Sequence, residues 1–256
     1  MLKKPRVVVI LPTYNERENI GPALRDIQQA TRNINKQYQI TFLVVDDRSP
    51  DGTGAVVKTL QKKDRRIILL SGPKKGLGKA VIRGLRYAMG TLRADIVITD
   101  EADLAYEAKH IPYALRKIAE GFDLVVASRH VPKGEVKGWS ASRKLNHWVA
   151  NYFFATFVAG VSQVHDHNGA FRAVRVKNVL EKVPLASLPR GFGFFNYWLF
   201  KLTQVTSRVH EFPVTYHFRT RGESKVSFNL KYLSDYSRDV KEYIYLCFQI
   251  RRELMQ

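Results

Sequence analysis

Short apolar runs, each broken abruptly by polar residues, set the pattern of the first half of the chain. Val7 to Leu11, Thr41 to Val45, Ile67 to Leu70 and Ala94 to Thr99 read as strands, too uniformly apolar for one face to meet water. Runs of that kind are expected of parallel strands covered on both sides. Between them, Glu18 to Ile34, Gly54 to Lys63, and a stretch opening at Lys74-Lys75-Gly76-Leu77-Gly78-Lys79 and closing near Met89 have helical patterning. Strand alternating with helix predicts an α/β sandwich with a mostly parallel central sheet. No internal repeat, low-complexity tract or linker interrupts it.

Two later segments differ. Leu145 to Val164 carries no formal charge and contains Trp148, Tyr152, Phe153, Phe154 and Phe157, but Asn146, His147, Asn151 and Gln163 interrupt it. It is too polar for a span, which needs about twenty predominantly apolar residues. It reads as an interfacial helix with Arg143-Lys144 at its start, or as a buried core helix. Near the end, Leu233, Tyr236, Val240, Ile244 and Cys247 recur at helical spacing among basic residues. That spacing predicts an amphipathic helix lying along the sheet or a bilayer, and divides the chain into residues 1–225 and a helix within 226–256.

Ligands of open α/β sheets bind where strands end in loops at their carboxyl edges. Pro12 and Tyr14 follow the first strand, with Glu16 on the next turn, and Asp46-Asp47 follow the second. A tyrosine ring can flank a base, and carboxylates accept hydrogen bonds from ribose hydroxyls or base N–H groups. An Asp-Asp pair can equally cap the next helix. The Gly-Leu-Gly-Lys loop brings backbone N–H groups and Lys79 toward a phosphate site without P-loop spacing, or is an ordinary helix entry. The fourth strand delivers Asp100-Glu101-Ala102-Asp103, acids able to hold a divalent cation against a diphosphate, unless they are only a solvated loop.

In this order the segments VVVILPTYNERENI, TFLVVDDRSPDGT, GLGKAVIRGLRYAMG, FDLVVASRHV, FRAVR, EFPVTY and RTRGESK resemble family 2 glycosyltransferases of the GT-A fold. Within that family the resemblance is strongest to the polyprenyl-phosphate sugar synthases, dolichol-phosphate mannose synthases among them. It runs from about Arg6 to Lys225. It implies a Rossmann-like three-layer sandwich and inverting transfer of a hexose from a nucleotide sugar to a polyprenyl or dolichyl phosphate, assisted by Mn²⁺ or Mg²⁺. It assigns Pro12, Tyr14, Glu16, Asp46, Asp47, Lys79 and Glu101 to the donor, Glu101 and Asp103 to the metal, and Arg129, Arg143, Arg219 and Lys225 to the acceptor phosphate. Asp103, Arg129 and Arg219 would carry the chemistry. Asp166 would orient the acceptor or nearby cations.

Several positions depart from the family pattern. Glu101 replaces its first Asp, Ala105-Tyr106-Glu107-Ala108 replaces Gln-His-Pro-Pro, Gly169-Ala170 replaces Ser-Gly, and Tyr197 stands where relatives often carry Glu. Asp100 or Glu107 could supply the oxygen lost at Ala105. The changes leave open a redirected substrate or a weakened enzyme.

The 42 Lys and Arg against 23 Asp and Glu give a net charge of +19. Zinc-ligand spacing, RNA-recognition aromatics and an isolated basic helix are all missing, so nucleic acid is not the expected partner. Phosphate-bearing substrates and an anionic membrane surface account for the excess, as would a generally basic surface. The opening residues lack a cleavable apolar core, and the single Cys247 fits a reducing compartment. A peripheral or monotopic protein on the cytoplasmic face of a membrane is expected, with a separate membrane-anchoring protein as an open partner. Mannose from GDP-mannose and glucose from UDP-glucose are both compatible donors. A family 2 transferase acting on a saccharide hydroxyl, and a degenerate sugar-nucleotide binder without turnover, are the alternatives.

Overall fold

The computed structural model describes residues 3–191, 193–218 and 233–256, with side chains of the last segment from Val240 onward. The strands are β1 (Arg6–Thr13), β2 (Gln39–Asp46), β3 (Ile67–Ser71), β4 (Ile96–Thr99), β5 (Leu124–Ser128), β6 (Glu135–Lys137), β7 (Arg172–Arg175), β8 (Val209–Pro213) and β9 (Thr215–His217). The helices are α1 (Arg17–Thr31), α2 (Thr53–Lys63), α3 (Leu77–Gly90), α4 (His110–Ala119), α5 (Ala141–Trp148), α6 (Phe194–Val205) and α7 (Leu233–Leu254).

The main sheet has the order β3-β2-β1-β4-β7-β5-β8, and β6 pairs with β9 in a two-stranded parallel ribbon. β1 lies parallel to β2 and β4, with Val9 opposite Phe42 on one side and Ile98 on the other. Among the described strands, only β7 runs against its neighbours, between β4 and β5. No residue from Val7 to Leu11 exceeds 1% exposure, as expected of a central strand with helices on both faces. Each such side chain contributes about 1.5–3 kcal/mol by leaving water. The α/β sandwich and mostly parallel sheet are as the patterning predicts.

Details depart from the pattern for local reasons. Pro12 lies inside β1 rather than after it, opposite Val45, because pairing continues to Thr13 and Asp46. The first helix ends at Thr31, whose hydroxyl donates to the Ile27 carbonyl at 2.7 Å, and the chain tightens into a 3₁₀ turn over Arg32–Ile34. In α3 Gly78 and Gly84 serve close packing. The Gly78 N–H donates to the Arg190 carbonyl at 2.9 Å, so it faces the segment before α6 rather than a phosphate. A Cβ at Gly84 would fall 2.8 Å from Ile10 Cγ2.

The aromatic segment is neither wholly interfacial nor wholly buried. It starts as α5, capped by the Ser140 hydroxyl, and continues as π-helical turns over Val149–Val158. Asn151, a polar interruption in the sequence, is buried and satisfied: its amide donates to the His165 carbonyl, and its oxygen accepts from the His167 N–H at 3.0 Å. The opposite face leaves Leu145, Trp148, Phe153 and Phe157 exposed.

α7 buries Tyr243, Leu246, Cys247 and Ile250, while Val240, Tyr245 and Phe248 are exposed. The buried stripe is therefore rotated from the one predicted, and shares only Cys247 with it among described side chains. Leu233 and Tyr236 lie outside those. The rotation follows from docking: the Tyr243 hydroxyl donates to the Ala150 carbonyl at 2.9 Å, and Leu246 packs against Gly193, where no side chain intervenes.

Candidate active site

The loops after β1 and β2 are stitched together. The Asn15, Glu16 and Arg17 N–H groups donate to Ser49 Oγ, Thr53 Oγ1 and Asp51 Oδ2 at 3.0, 3.0 and 2.9 Å. Asp46 accepts from Thr13 Oγ1 and the Ser49 N–H, and Asp47 pairs with Arg83 at 2.7 Å. Burial nevertheless raises the Asp47 carboxyl above its ordinary range, the Arg83 contact only partly opposing it. Glu16 is buried and accepts from Asn19 at 2.7 Å. The Lys74 ammonium sits over the Tyr14 ring, 3.8 Å from its centroid, as a cation–π contact. Lys79, on the first turn of α3, is half-buried. Pro12, Tyr14, Glu16, Asp46 and Asp47 thus share the carboxyl edge of β1 and β2 or the turn beside it, while Lys79 lies on the first turn of the helix after β3.

β4 ends directly in the acid loop. Asp100 and Asp103 are buried, and a cleft of about 320 Å³ opens beside Asp100 and Glu101 against α1. Asp100 accepts the Glu101 N–H at 2.8 Å, and Asp103 accepts the Ala105 N–H at 3.1 Å. Burial pushes the Asp100 carboxyl well up, and the negative charges of Glu101 and Asp103 add to that. Three carboxyl groups on one loop are hard oxygen donors of the type a divalent cation takes, although their ligand atoms do not all lie within 4.8 Å of one another, which among the described residues only the His130, His147 and Asp166 group achieves. Glu107, one candidate replacement for the oxygen lost at Ala105, instead lies on Lys109 at 2.6 Å.

Arg129 follows β5 and is 8% exposed. Its Nε and Nη2 donate to the two oxygens of Asp166, both at 2.7 Å, and its backbone N–H reaches Asp166 at 3.0 Å. Burial opposes both charges, but each holds the other: Asp166 stays well below the carboxylate range and Arg129 well above its own. Asp166 therefore orients a cation, one of the two roles the sequence suggested. The Trp139 ring lies 5.7 Å from the Arg129 guanidinium carbon and 4.8 Å from that of Arg143, so the two acceptor candidates share an aromatic wall. Arg219, Lys225 and Arg221 lie outside the described residues.

Tyr216, on β9, is a residue that motif reading missed. Its hydroxyl donates to Glu101 Oε2 at 2.9 Å, and its ring centroid is 5.1 Å from the Arg129 guanidinium carbon. Gly169 leaves room at the same place: a Cβ there would sit 3.3 Å from Asp166 Oδ1 and from the buried Tyr106 hydroxyl. Tyr197 has a different duty from the acid of relatives. Its hydroxyl donates to Glu253 at 2.6 Å, and Glu253 also pairs with Lys201, which fastens α6 to α7.

The histidines lack zinc spacing in sequence, yet in space His130, His147 and Asp166 bring ligand atoms within 4.8 Å of one another. His130 Nε2 and His147 Nε2 are 2.9 Å apart, and Tyr152 bonds His130 Nδ1. Asp166 is already committed to Arg129, whose charge disfavours a cation there. His165 is exposed on Glu211, whereas His167 is fully buried and bonds Thr156 at 3.0 Å, so the two are not a solvent-exposed pair.

Burial lowers His167 to about 4 and His147 to about 3. Both are neutral in the fold at pH 7, while the unfolded chain takes up protons near 6.5. Their contribution to stability is complete above pH 6.5 and is lost as pH falls toward 4. In His167→Gln the slope of stability against pH between 6.5 and 4 should be shallower by up to about 1.4 kcal/mol per pH unit. Chemical denaturation across that range measures it, and identical slopes would mean that His167 is not the group that titrates.

The glycosyl transferase family 2 model matches residues 8–181. The dolichol-phosphate mannosyltransferase of Pyrococcus furiosus is 36% identical over 221 residues, 86% of this chain and 59% of that protein. The chain thus spans under two thirds of that relative's length. The undecaprenyl-phosphate mannosyltransferase of Micrococcus luteus is 33% identical over 224 residues, 87% of this chain and 88% of that protein. Among solved structures, glucosyl-3-phosphoglycerate synthase from Mycobacterium tuberculosis with Mn²⁺ and UDP-glucose superposes with a TM-score of 0.65 at 17% identity, over 96% of this chain and 79% of that one. Mannosyl-3-phosphoglycerate synthase from Rubrobacter xylanophilus gives 0.64 at 20% identity, over 97% and 75%. At those identities the likeness establishes the GT-A fold alone.

Proposed function

The chain belongs to glycosyl transferase family 2, and from that premise we propose that it transfers mannose from GDP-mannose to a polyprenyl or dolichyl phosphate, inverting the anomeric carbon. The observation that carries this reading is the link that Tyr216 makes between Glu101 of the acid loop and Arg129, which shares the Trp139 ring with Arg143. The names of the relatives support the mannosyl donor and the lipid phosphate.

In this reading Pro12, Tyr14, Glu16, Asp46 and Asp47 hold the nucleoside, and Lys79 lies toward its phosphates. Glu101 and Asp103 would hold Mn²⁺ or Mg²⁺, which when bound neutralises the departing diphosphate. Asp166 takes two guanidinium donors of Arg129 and fixes its plane, leaving Nη1 for the acceptor phosphate, with Arg143, Arg219 and Lys225 adding charge. A phosphate monoester is anionic at neutral pH and attacks without a general base. The chain's own work is therefore alignment and charge stabilisation. Tyr197 turned to Glu253 on α7 is then no loss to the chemistry.

A competition among acceptors tests the reading. Product should form on polyprenyl phosphate and not on polyprenol or a free saccharide. Transfer to the saccharide alone would favour the saccharide-hydroxyl reading, and donor binding without transfer to any acceptor would favour a binder without turnover.

No described helix is long and apolar enough to cross a membrane. We place the protein at the cytoplasmic face of a membrane through Leu145, Trp148, Phe153 and Phe157, with Tyr245 and Phe248 on the neighbouring α7 and Lys144, Arg251 and Arg252 supplying charge. α7 then serves as the second interfacial helix. Phe157→Asp should weaken cosedimentation with anionic liposomes about tenfold, the scale of one buried phenyl ring. Wild-type protein that stays in the supernatant at moderate salt would contradict this placement.

A further inference from the structure

Glu101 and Arg129 reach the site from different strands, β4 and β5, yet one side chain touches both. Tyr216 is 8% exposed, and its hydroxyl donates to Glu101 Oε2 at 2.9 Å, the carboxylate being acceptor-only. The face of its ring lies 5.1 Å from the Arg129 guanidinium carbon. Tyr106 and Trp139 hold the ring edge-on, at 5.1 and 5.6 Å between centroids.

The backbone beside Tyr216 grips the same loop. The His217 N–H donates to the Ala105 carbonyl at 3.0 Å, so adjacent residues of β9 take hold of both ends of the stretch from Glu101 to Ala105. Val214, two residues earlier, donates to the Ser128 carbonyl at 2.9 Å, next to Arg129. β9 is thus bonded to the acid loop, and the residue just before it to the end of β5.

We propose that Tyr216 is a positioning residue that holds the Glu101 carboxylate for a divalent cation and ties that loop to the acceptor cation Arg129. Glutamate has one more torsion than aspartate, and a carboxylate on a longer arm loses more rotamer freedom when it takes up an ion. A hydroxyl that already restrains it lowers that loss, as a supporting shell does for any ligand set. The ring has a separate role, since it packs on the guanidinium that Asp166 orients, so the two halves of the site move together. This inference rests on the glycosyl-transfer reading of the site.

Tyr216→Phe separates the two roles, because it removes the hydroxyl and keeps the ring. Mn²⁺ binding, followed by paramagnetic resonance in the presence of GDP, should weaken about tenfold, the scale of one hydrogen bond to a charged group. The KM for polyprenyl phosphate should stay within twofold. Tyr216→Leu removes hydroxyl and ring together and should raise that KM as well. A purely structural tyrosine would move melting temperature without this split. Equal Mn²⁺ affinity in wild type and Tyr216→Phe, with wild type binding normally, overturns the inference alone. Wild-type protein that binds neither Mn²⁺ nor GDP overturns the glycosyl-transfer reading and the inference with it.

Discussion

Asp103→Ala should lower mannosyl transfer about 10³-fold while the protein still folds. A cation stabilising the leaving diphosphate is worth several kcal/mol, and each 1.36 kcal/mol is a factor of ten in rate. Asp103 accepts a hydrogen bond from the Ala105 N–H at 3.1 Å, and a bond of that kind contributes about 1 kcal/mol. Turnover and melting temperature measured on the same preparation therefore separate the two roles. Retained turnover at saturating Mn²⁺ would take the metal away from this loop, and a collapse of the fold would make Asp103 a structural acid.

The largest effect on stability is expected at Asp166. Asp166→Ala strands the Arg129 guanidinium, 8% exposed, without its carboxylate, and removing one partner of a buried pair costs about 3–5 kcal/mol. Replacing both members, as Asp166→Leu with Arg129→Met, should recover much of that stability, since buried pairs are often matched by apolar residues of similar volume. It should not recover transfer, because the acceptor phosphate then has no guanidinium to meet at that position. The pair also has a definite acid limit. Asp166 stays ionised well below the 3.8 of the unfolded chain, so its contribution is complete above pH 3.8 and fades only as pH falls further. Urea denaturation of wild type, single and double variants gives these differences. A double variant no more stable than the single would mean that polar contacts, not charge burial, dominate there.

Much of the site's framework could be read from the chain because it depends on local pattern. Uniform apolar runs mark strands covered on both faces, and residues just after such a run land at the sheet edge wherever the strands pair. Asp46, Asp47, Asp100, Asp103 and Arg129 are placed that way. Contacts between distant segments leave no such mark. Tyr216 meets Glu101 across 115 residues, and nothing in EFPVTY distinguishes its hydroxyl from an ordinary core tyrosine. The His130, His147 and Asp166 cluster is likewise assembled from three segments. Helix faces were legible only in part, because apolar residues occur on both sides of α7. Docking through Tyr243 and Leu246 chooses the buried stripe, and that choice is made by α6 and the α5 continuation. Asn151 shows the same limit in reverse: a polar residue that breaks an apolar pattern is buried because the 165–167 loop satisfies it.

The central claim is tested most directly by mass analysis of the lipid recovered after incubating the protein with short-chain polyprenyl phosphate, Mn²⁺ and a panel of GDP- and UDP-sugars. One new species is expected, a mannosyl phospholipid formed from GDP-mannose, and none in Arg129→Ala. Unmodified lipid with every donor, from protein that binds GDP-mannose, would contradict mannosyl transfer to a lipid phosphate.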